Sequence, residues 1–172
     1  MKKVFLIVTA LLGLSLAAVA QPKAVGLRGG LFGNEFSGEI SYEHWFTIFD
    51  NDYDFLEAEL GVFGSNGFKG TLIYNLTLVH PEFTDRGDWG LYIGPGVVTG
   101  YGTGFTNKQE TKSFAFFGLA AQLGMEYTFW FPLQVSVDFR PSFMIPAWMN
   151  RSAPGKNANR WCNFALGVRY AF

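Results

Sequence analysis

The chain has 172 residues, with 13 Lys or Arg and 14 Asp or Glu, so its formal net charge is only −1. A charge balance this mild leaves no electrostatic footprint for nucleic acid, and a single cysteine, Cys162, excludes a disulfide within the chain. Charged residues make up 16% of the sequence and aromatic residues 18%, which is too few charges for a typical water-soluble domain.

The N-terminal segment has the three regions of a secretory signal peptide. Two lysines precede residues 4–16, which are almost unbroken apolar residues, and an Ala-Val-Ala sequence ends at position 20. The apolar stretch is shorter than the roughly 20 residues that a membrane-spanning helix needs. We therefore expect residues 1–20 to be a cleaved signal peptide and residues 21–172 to form one domain.

The rest of the chain contains no run that is long and apolar enough for a transmembrane helix. A closed β-barrel is the other structure that pairs every backbone N–H and C=O inside a bilayer. Period-two alternation of apolar and polar residues, which is typical of a half-buried strand, recurs in eight tracts. The tracts are residues 24–32, 36–45, 53–63, 68–79, 89–100, 116–129, 133–143 and 163–172.

The first four tracts each combine an apolar face with a polar or charged face. In the first tract, "AVGLRGGLF", Leu27 and Leu31 alternate with Arg28 and glycines. Glutamates occupy one face of the second and third tracts, and Lys69 shares a face with Thr71 in the fourth. This alternation predicts strands with one face buried.

The last four tracts follow the same rule, with one local exception. The fifth tract contains Pro95, which cannot donate a ladder hydrogen bond, so we predict a bulge or distortion there. The sixth and seventh tracts alternate regularly. In the eighth, "NFALGVRYAF", aromatic and aliphatic residues alternate with small residues and Arg169.

The polar faces of the eight tracts carry glycines, small residues and charges of both signs. A soluble β-sandwich also alternates, but its polar face meets water and usually carries long flexible charges and threonines. Glycines with paired charges instead suit the narrow interior of an eight-stranded barrel. We therefore predict a lumen charge network. Its members are Arg28, Glu39, Glu43, Glu57, Glu59, Lys69, Glu126, Asp138, Arg140 and Arg169.

Tract length and aromatic placement favour a membrane barrel. Ten residues at roughly 3.3 Å each, tilted by about 40°, cover about 25 Å, which is the height of the apolar band of an outer-membrane barrel. Aromatic residues gather near tract ends, as in interfacial girdles. They are Trp45, Phe46, Tyr127, Phe129, Trp130 and Phe131. The predicted fold is all-β: an eight-stranded antiparallel transmembrane up-and-down β-barrel.

Several stretches resemble small eight-stranded outer-membrane barrels of the OmpA/OmpX type, and more closely the short single-domain barrels of the Bacteroidota. They include "AVGLRGGLFGNEFSGEISYE", "FLEAELGVFG", "FGLAAQLGMEYTF", "PLQVSVDFRPSF" and "FALGVRYAF". The closing "VRYAF" resembles the signal that barrel-assembly machinery recognises, which assigns Val168, Tyr170 and Phe172 to that role. The resemblance implies location in the bacterial outer membrane and no catalytic residues.

Both termini are expected in the periplasm, which makes segments 100–113 and 145–160 the long outward loops. Long loops commonly carry function on a rigid scaffold, so we predict a structural or surface-interaction role through them. The expected partners are outer-membrane lipid and lipopolysaccharide, the assembly machinery and an extracellular partner at these two loops, and no nucleic acid.

The sequence offers little for catalysis, and we predict no enzyme, no cofactor and no metal site. The two histidines, His44 and His80, fall near the periplasmic rim, away from the outer leaflet where a lipid-modifying Ser–His pair would act. Two alternatives stay open. One is a lipid-modifying outer-membrane enzyme, and the other is a narrow, porin-like conduit for small or hydrophobic molecules, with room near Gly94 and Gly96.

Overall fold

The computed structural model describes residues 23–32, 35–45, 54–64, 66–80, 87–105, 111–145 and 163–172. The predicted signal peptide and most of the predicted loop 145–160 lie outside these ranges. Within them, no helix has the length and apolar character needed to cross a membrane.

The described chain forms nine strand segments in a single sheet. The segments are β1 Lys23–Phe32, β2 Glu35–Trp45, β3 Phe55–Phe63, β4 Gly67–Val79, β5 Gly87–Phe105, β6 Thr111–Phe129, β7 Gln134–Phe139, β8 Ser142–Ile145 and β9 Asn163–Ala171. All pairings are antiparallel, and each of the first six strands pairs with the next one along the chain. This is the up-and-down order that short connections favour.

The sheet closes on itself through its first and last strands. β1 pairs with β9 from Ala24 opposite Ala171 to Phe32 opposite Asn163, and Lys23 N–H donates to the carbonyl of Phe172 at 2.9 Å. Closure leaves no sheet edge along the wall. The predicted antiparallel β-barrel is therefore confirmed.

The segments β7 and β8 are two parts of one strand. Phe139 pairs with Leu123 and Ser142 pairs with Ala120, so the register against β6 is unchanged across the gap. The carbonyl of Pro141 still accepts from Ala121 N–H at 2.9 Å. The ring nitrogen of proline has no hydrogen to donate, which interrupts regular strand geometry without adding a residue. The barrel thus has eight strands, as the alternation predicts.

The two faces of the wall differ sharply in chemistry, as predicted. Outward side chains are apolar and exposed, with Leu60 at 73%, Phe36 at 71% and Leu166 at 63%. Inward positions are buried and mostly polar or charged. Because consecutive strand residues point to opposite faces, the parity of each tract determines which side chains enter the lumen.

The strands differ from the prediction in two places. At Pro95 the predicted bulge is absent, because Pro95 pairs in register with Ala121 of β6. The predicted distortion is present on the other side of the strand, where the ladder with β4 has no pair between Ile73–Gly96 and Leu76–Ile93. The register shift of β5 lies further along, between Thr77 and Val79 of β4. A proline removes one donor but keeps its carbonyl, so no extra residue is required.

The predicted loop 100–113 is also shorter than expected. β5 continues to Phe105 and β6 begins at Thr111, because the two strands keep pairing with each other beyond Tyr101, the last β5 residue paired with β4. Residues 106–110 lie outside the described ranges.

Aromatic rings gather at the rim where β6 ends. The ring centroid of Tyr127 lies 4.9 Å from Trp89 and 4.6 Å from Phe129, and the Phe129 ring lies 5.0 Å from Phe131. Trp45, which was also predicted for the girdle, differs from these rings because it is on the inner side of its strand. Trp45 lies on the inward parity of β2 and its indole Nε1 is buried.

Candidate functional site

The interior of the barrel is the candidate site, because it collects the charged side chains. All ten residues predicted for the lumen network lie on inward positions, and each is at most 5% exposed. They fall into two groups along the barrel axis. The central cluster comprises Arg28, Glu39, Glu59, Lys69, Asp138 and Arg140, and the terminal-side cluster, nearer the rim with the chain termini, comprises Glu43, Glu57, Glu126 and Arg169.

Arg28 is the hub of the central cluster. Its guanidinium forms a bidentate pair with Asp138, in which Nε donates to Oδ2 at 3.1 Å. The same group donates to Glu39 Oε2 at 3.0 Å and lies 3.4 Å from Glu59 Oε1. Since Asp138 lies on β7 and Glu39 on β2, Arg28 links the wall across the lumen.

The other two cations of the central cluster complete the pairing. Arg140 pairs with Glu59 and donates to Gln122 Oε1 at 2.6 Å and 3.1 Å. Lys69 Nζ lies 2.8 Å from Glu39 Oε1. Three cations thus face three carboxylates in this cluster, so its formal charge is balanced.

Arg169 organises the terminal-side cluster. It pairs with Glu57, its Nε lies 3.1 Å from Glu43 Oε1, and the guanidinium also donates to the hydroxyls of Ser41 at 2.9 Å and Ser136 at 2.7 Å. In the same region Gln134 Nε2 donates to Glu126 Oε2 at 2.7 Å. Within this cluster carboxylates outnumber cations by three to one, and Arg140 of the central cluster also approaches Glu57, with Nη2 3.4 Å from Oε2.

Two inward glycines make room for large neighbours in this cluster. A Cβ at Gly90 would meet the Glu126 side chain at 3.0 Å. A Cβ at Gly124 would overlap the ring of Tyr92, a fully buried side chain. These two glycines of the predicted polar faces therefore make room for the bulky side chains of Glu126 and Tyr92.

An apolar layer lies between the central cluster and the rim opposite the termini, and the sequence analysis missed it. Its members are Phe32, Phe63, Val98, Phe116 and Met144. The Phe32 ring centroid lies 5.1 Å from Phe63 and 6.2 Å from Phe116. Parity could have revealed the layer, since Phe32 follows Arg28, and Phe63 follows Glu59, by four residues on the same face.

The two alternative functions, a lipid-modifying enzyme and a narrow conduit, depend on the histidines and on the space near Gly94 and Gly96. His44 lies on the outward parity of β2, and its Nδ1 is 3.3 Å from the Tyr42 hydroxyl. Gly94 and Gly96 do not mark free space, because a Cβ at Gly94 would come within 2.7 Å of Asn75 Oδ1 and one at Gly96 within 2.9 Å of Ile73 Cα. In the described ranges, no group of three or more His, Cys, Asp or Glu is placed to hold a metal ion.

The residues assigned to assembly by resemblance lie on the outer wall. Val168, Tyr170 and Phe172 are 53%, 57% and 62% exposed. The rings of Tyr170 and Phe172 stack with centroids 6.1 Å apart. These three side chains therefore form an exposed row on the outer wall.

Comparison with known proteins supports the architecture. No family model matches the chain, and no curated protein matches its sequence. Among solved structures, the N-terminal β-barrel domain of Pseudomonas aeruginosa OprF is similar, with a TM-score of 0.60 over 88% of this chain and 97% of that chain. The identity is 16%, so the likeness concerns the fold. The chain therefore has the fold of the small eight-stranded β-barrels of the OmpA type.

Proposed function

We propose that the protein is an integral outer-membrane β-barrel with a filled polar lumen and no enzymatic activity, which acts as a structural or surface-interaction protein through its outward loops. The observation that carries this proposal is the inverted distribution of side chains. Large apolar residues are exposed around the wall, whereas ten charged residues are buried inside it.

This distribution suits a bilayer and not water. A contiguous apolar surface of this extent on a soluble monomer would cause association. In a bilayer the same surface meets acyl chains, while closure of the sheet satisfies the backbone. Aromatic rings at the rim near Tyr127 match the interfacial girdle of such barrels.

Cell fractionation tests the location. The mature protein should be recovered with outer membranes, and the folded barrel should migrate differently on gels before and after boiling. A soluble periplasmic protein serves as the fractionation control. Recovery as a soluble monomer without detergent would overturn the membrane proposal.

A filled lumen is supported by two layers of packing in series. The central cluster spans the interior through Arg28 and Arg140, and the apolar layer packs three phenylalanine rings together. Eight strands enclose an interior just wide enough for side chains. In planar bilayers we expect no stable large conductance, and a steady porin-sized conductance would favour the conduit instead.

The surface role is proposed for the segments 100–113 and 145–160. Replacing residues 106–110 or 146–160 with short Gly-Ser linkers should leave the heat-dependent gel shift intact, because these changes keep every residue of the flanking strands, which end at Phe105 and Ile145 and begin at Thr111 and Asn163. Binding of cells to an extracellular partner should fall. Unchanged surface binding in both variants would overturn this role.

Recognition by barrel-assembly machinery is proposed for the exposed row at the C-terminus. Changing Phe172 to Ser should slow assembly in cells while the purified variant still folds into lipid. The control is Phe164→Ser, an outward aromatic of the same strand that is 59% exposed. Equal assembly defects in the two variants would show that Phe172 acts only through stability.

A further inference from the structure

The buried charges of the described part of the barrel do not balance. The central cluster pairs three cations with three carboxylates, but the terminal-side cluster has Arg169 against Glu43, Glu57 and Glu126. Among the residues that the structure describes, the interior therefore has two more carboxylates than cations. The remaining buried charges in the described ranges, Lys23 and Asp54, are of opposite sign and leave this excess unchanged.

Two uncompensated charges cannot persist cheaply in a dry interior. A buried carboxylate needs a paired cation and further hydrogen bonds to offset the loss of hydration. A group in that position takes up a proton in preference to staying ionised. The filled lumen proposed above thus requires two compensating positive charges.

The geometry identifies which carboxylates lack compensation. Glu57 is saturated: Arg169 and Ser41 contact Oε1, and Gln122 donates to Oε2 at 2.9 Å. Glu43, in contrast, is fully buried, and within the described residues neither of its oxygens has a hydrogen-bond partner. Its one cation, Arg169, is shared with Glu57.

Neighbouring polar atoms are also left without partners around this pair. Gln134 is 1% exposed, and its Nε2 donates to Glu126 while its Oε1 has no partner among the described residues. Tyr92 is also fully buried, and its hydroxyl has no hydrogen-bond partner among the described residues. A free acceptor beside a carboxyl group is what a protonated carboxyl would donate to.

We propose that Glu43 and Glu126 form a buried proton-binding site that holds two protons in the folded barrel. The proposal rests on the filled lumen, because water in an open pore would let both groups ionise. Gln134 neighbours both carboxyl groups: its Nε2 donates to Glu126 at 2.7 Å, and its side chain also interacts with Glu43. Its unpartnered oxygen is available to accept from a protonated carboxyl group. The charged and titratable groups that face the site are Glu57, Tyr92, Asp138 and Arg169.

Protons fit this site better than a bound metal ion. A hard cation needs several oxygen ligands around one point, and the described residues contain no group of three or more acids, His or Cys so arranged. A proton needs only one carboxyl oxygen and one acceptor. Glu43 Oε2, which Arg169 does not contact, and Gln134 Oε1 meet that need.

Infrared spectroscopy of the protein in lipid vesicles at neutral pH tests the site directly. The wild type should show the carbonyl stretch of protonated carboxylic acids, and its intensity should fall by about half in Glu43→Gln or Glu126→Gln. Glu59→Gln is the matched control, because Glu59 is paired with Arg28 and Arg140, and it should leave the band unchanged. Absence of the band in the wild type, or its survival in the double variant, would overturn the proposal.

Stability against pH gives a second, independent measurement. An unfolded Glu releases its proton at about pH 4.3, so the folded barrel would bind two more protons than the unfolded chain at neutral pH. The unfolding equilibrium constant should then rise with pH, by up to about 100-fold per pH unit for two protons. In the Glu43→Gln/Glu126→Gln variant this added slope should disappear.

Separate measurements distinguish failure of the proton site from failure of the filled lumen on which it rests. Replacing sodium by choline at constant ionic strength should not change the stability of the wild type; a loss of tenfold or more, with no pH slope, would assign the site to an alkali cation and overturn the proton site. A closed lumen without the infrared band would overturn the proton site and leave the filled lumen standing. A large steady conductance would overturn the filled lumen, and the proton site with it.

Discussion

Replacing Arg28 with Met should be among the most destabilising single changes in the barrel. Arg28 is 1% exposed and contacts Asp138, Glu39 and Glu59. Removing it leaves three carboxylates with only Lys69 and Arg140. Breaking a buried ion pair on one side costs about 3–5 kcal/mol, which corresponds to roughly a 100- to 5,000-fold change in the unfolding equilibrium.

Urea titration of the protein in lipid vesicles measures this loss. With a denaturant slope of about 2 kcal/mol/M, the midpoint should fall by roughly 1.5–2.5 M. The adjacent change Leu27→Met is the matched control. Leu27 is 67% exposed on the outer wall, and this near-isosteric change should cost under about 1 kcal/mol.

A double variant tests the stated cause. Removing the facing acid as well, in Arg28→Met/Asp138→Leu, replaces a buried pair by apolar groups, an exchange that is often neutral or stabilising. Most of the lost stability should return. A cost below about 1 kcal/mol for Arg28→Met would show that water screens the cluster, and the filled-lumen argument would then fail.

Three other predictions use the same titration. Leu166→Arg places a charge on the lipid-facing wall and should cost about 2–4 kcal/mol of unfolding free energy near the midplane. The control Ala165→Ser, beside it on the inward face, should cost little. The reverse ranking would contradict the assignment of faces. Gly124→Ala should cost about 1–3 kcal/mol because its Cβ would overlap the Tyr92 ring. Gly38→Ala provides the control, since its Cβ would have open space. Equal costs would show that Tyr92 moves freely. Phe63→Ala should cost about 3–5 kcal/mol as it opens a void in the apolar layer, and a loss below about 1 kcal/mol would mean that the layer is loosely packed.

The alternation of apolar and polar residues within each tract explains why the strand number and the facing of the side chains could be predicted from the sequence. Consecutive residues of a strand point to opposite faces, so each tract reveals its own inward and outward residues without knowledge of its neighbours. This is why Arg28, Glu57 and Arg169 were placed inside, and Leu27 and Leu166 outside. It also explains the strand number, since every tract is a separate signal and turn residues divide one tract from the next.

Errors arose where a neighbouring strand determines the outcome. Pro95 was expected to produce a bulge or distortion, but only the ladder with β4 is interrupted there, and the register with β6 continues through it. The segment after Gly100 was expected to be loop, but pairing between β5 and β6 extends the hairpin to Phe105. A strand boundary depends on the hydrogen bonds of the partner strand, and a single tract contains no information about them.

The sequence by itself determined which side chains enter the lumen, and only the tertiary structure decided which of them meet. Arg28 pairs with Asp138 across 110 residues of sequence, and this contact exists because β1 and β9 close the sheet. The apolar layer around Phe32 and the excess of carboxylates around Arg169 depend likewise on depth along the barrel axis. Parity has a period of two residues and is local, whereas depth depends on the register of every strand around the barrel.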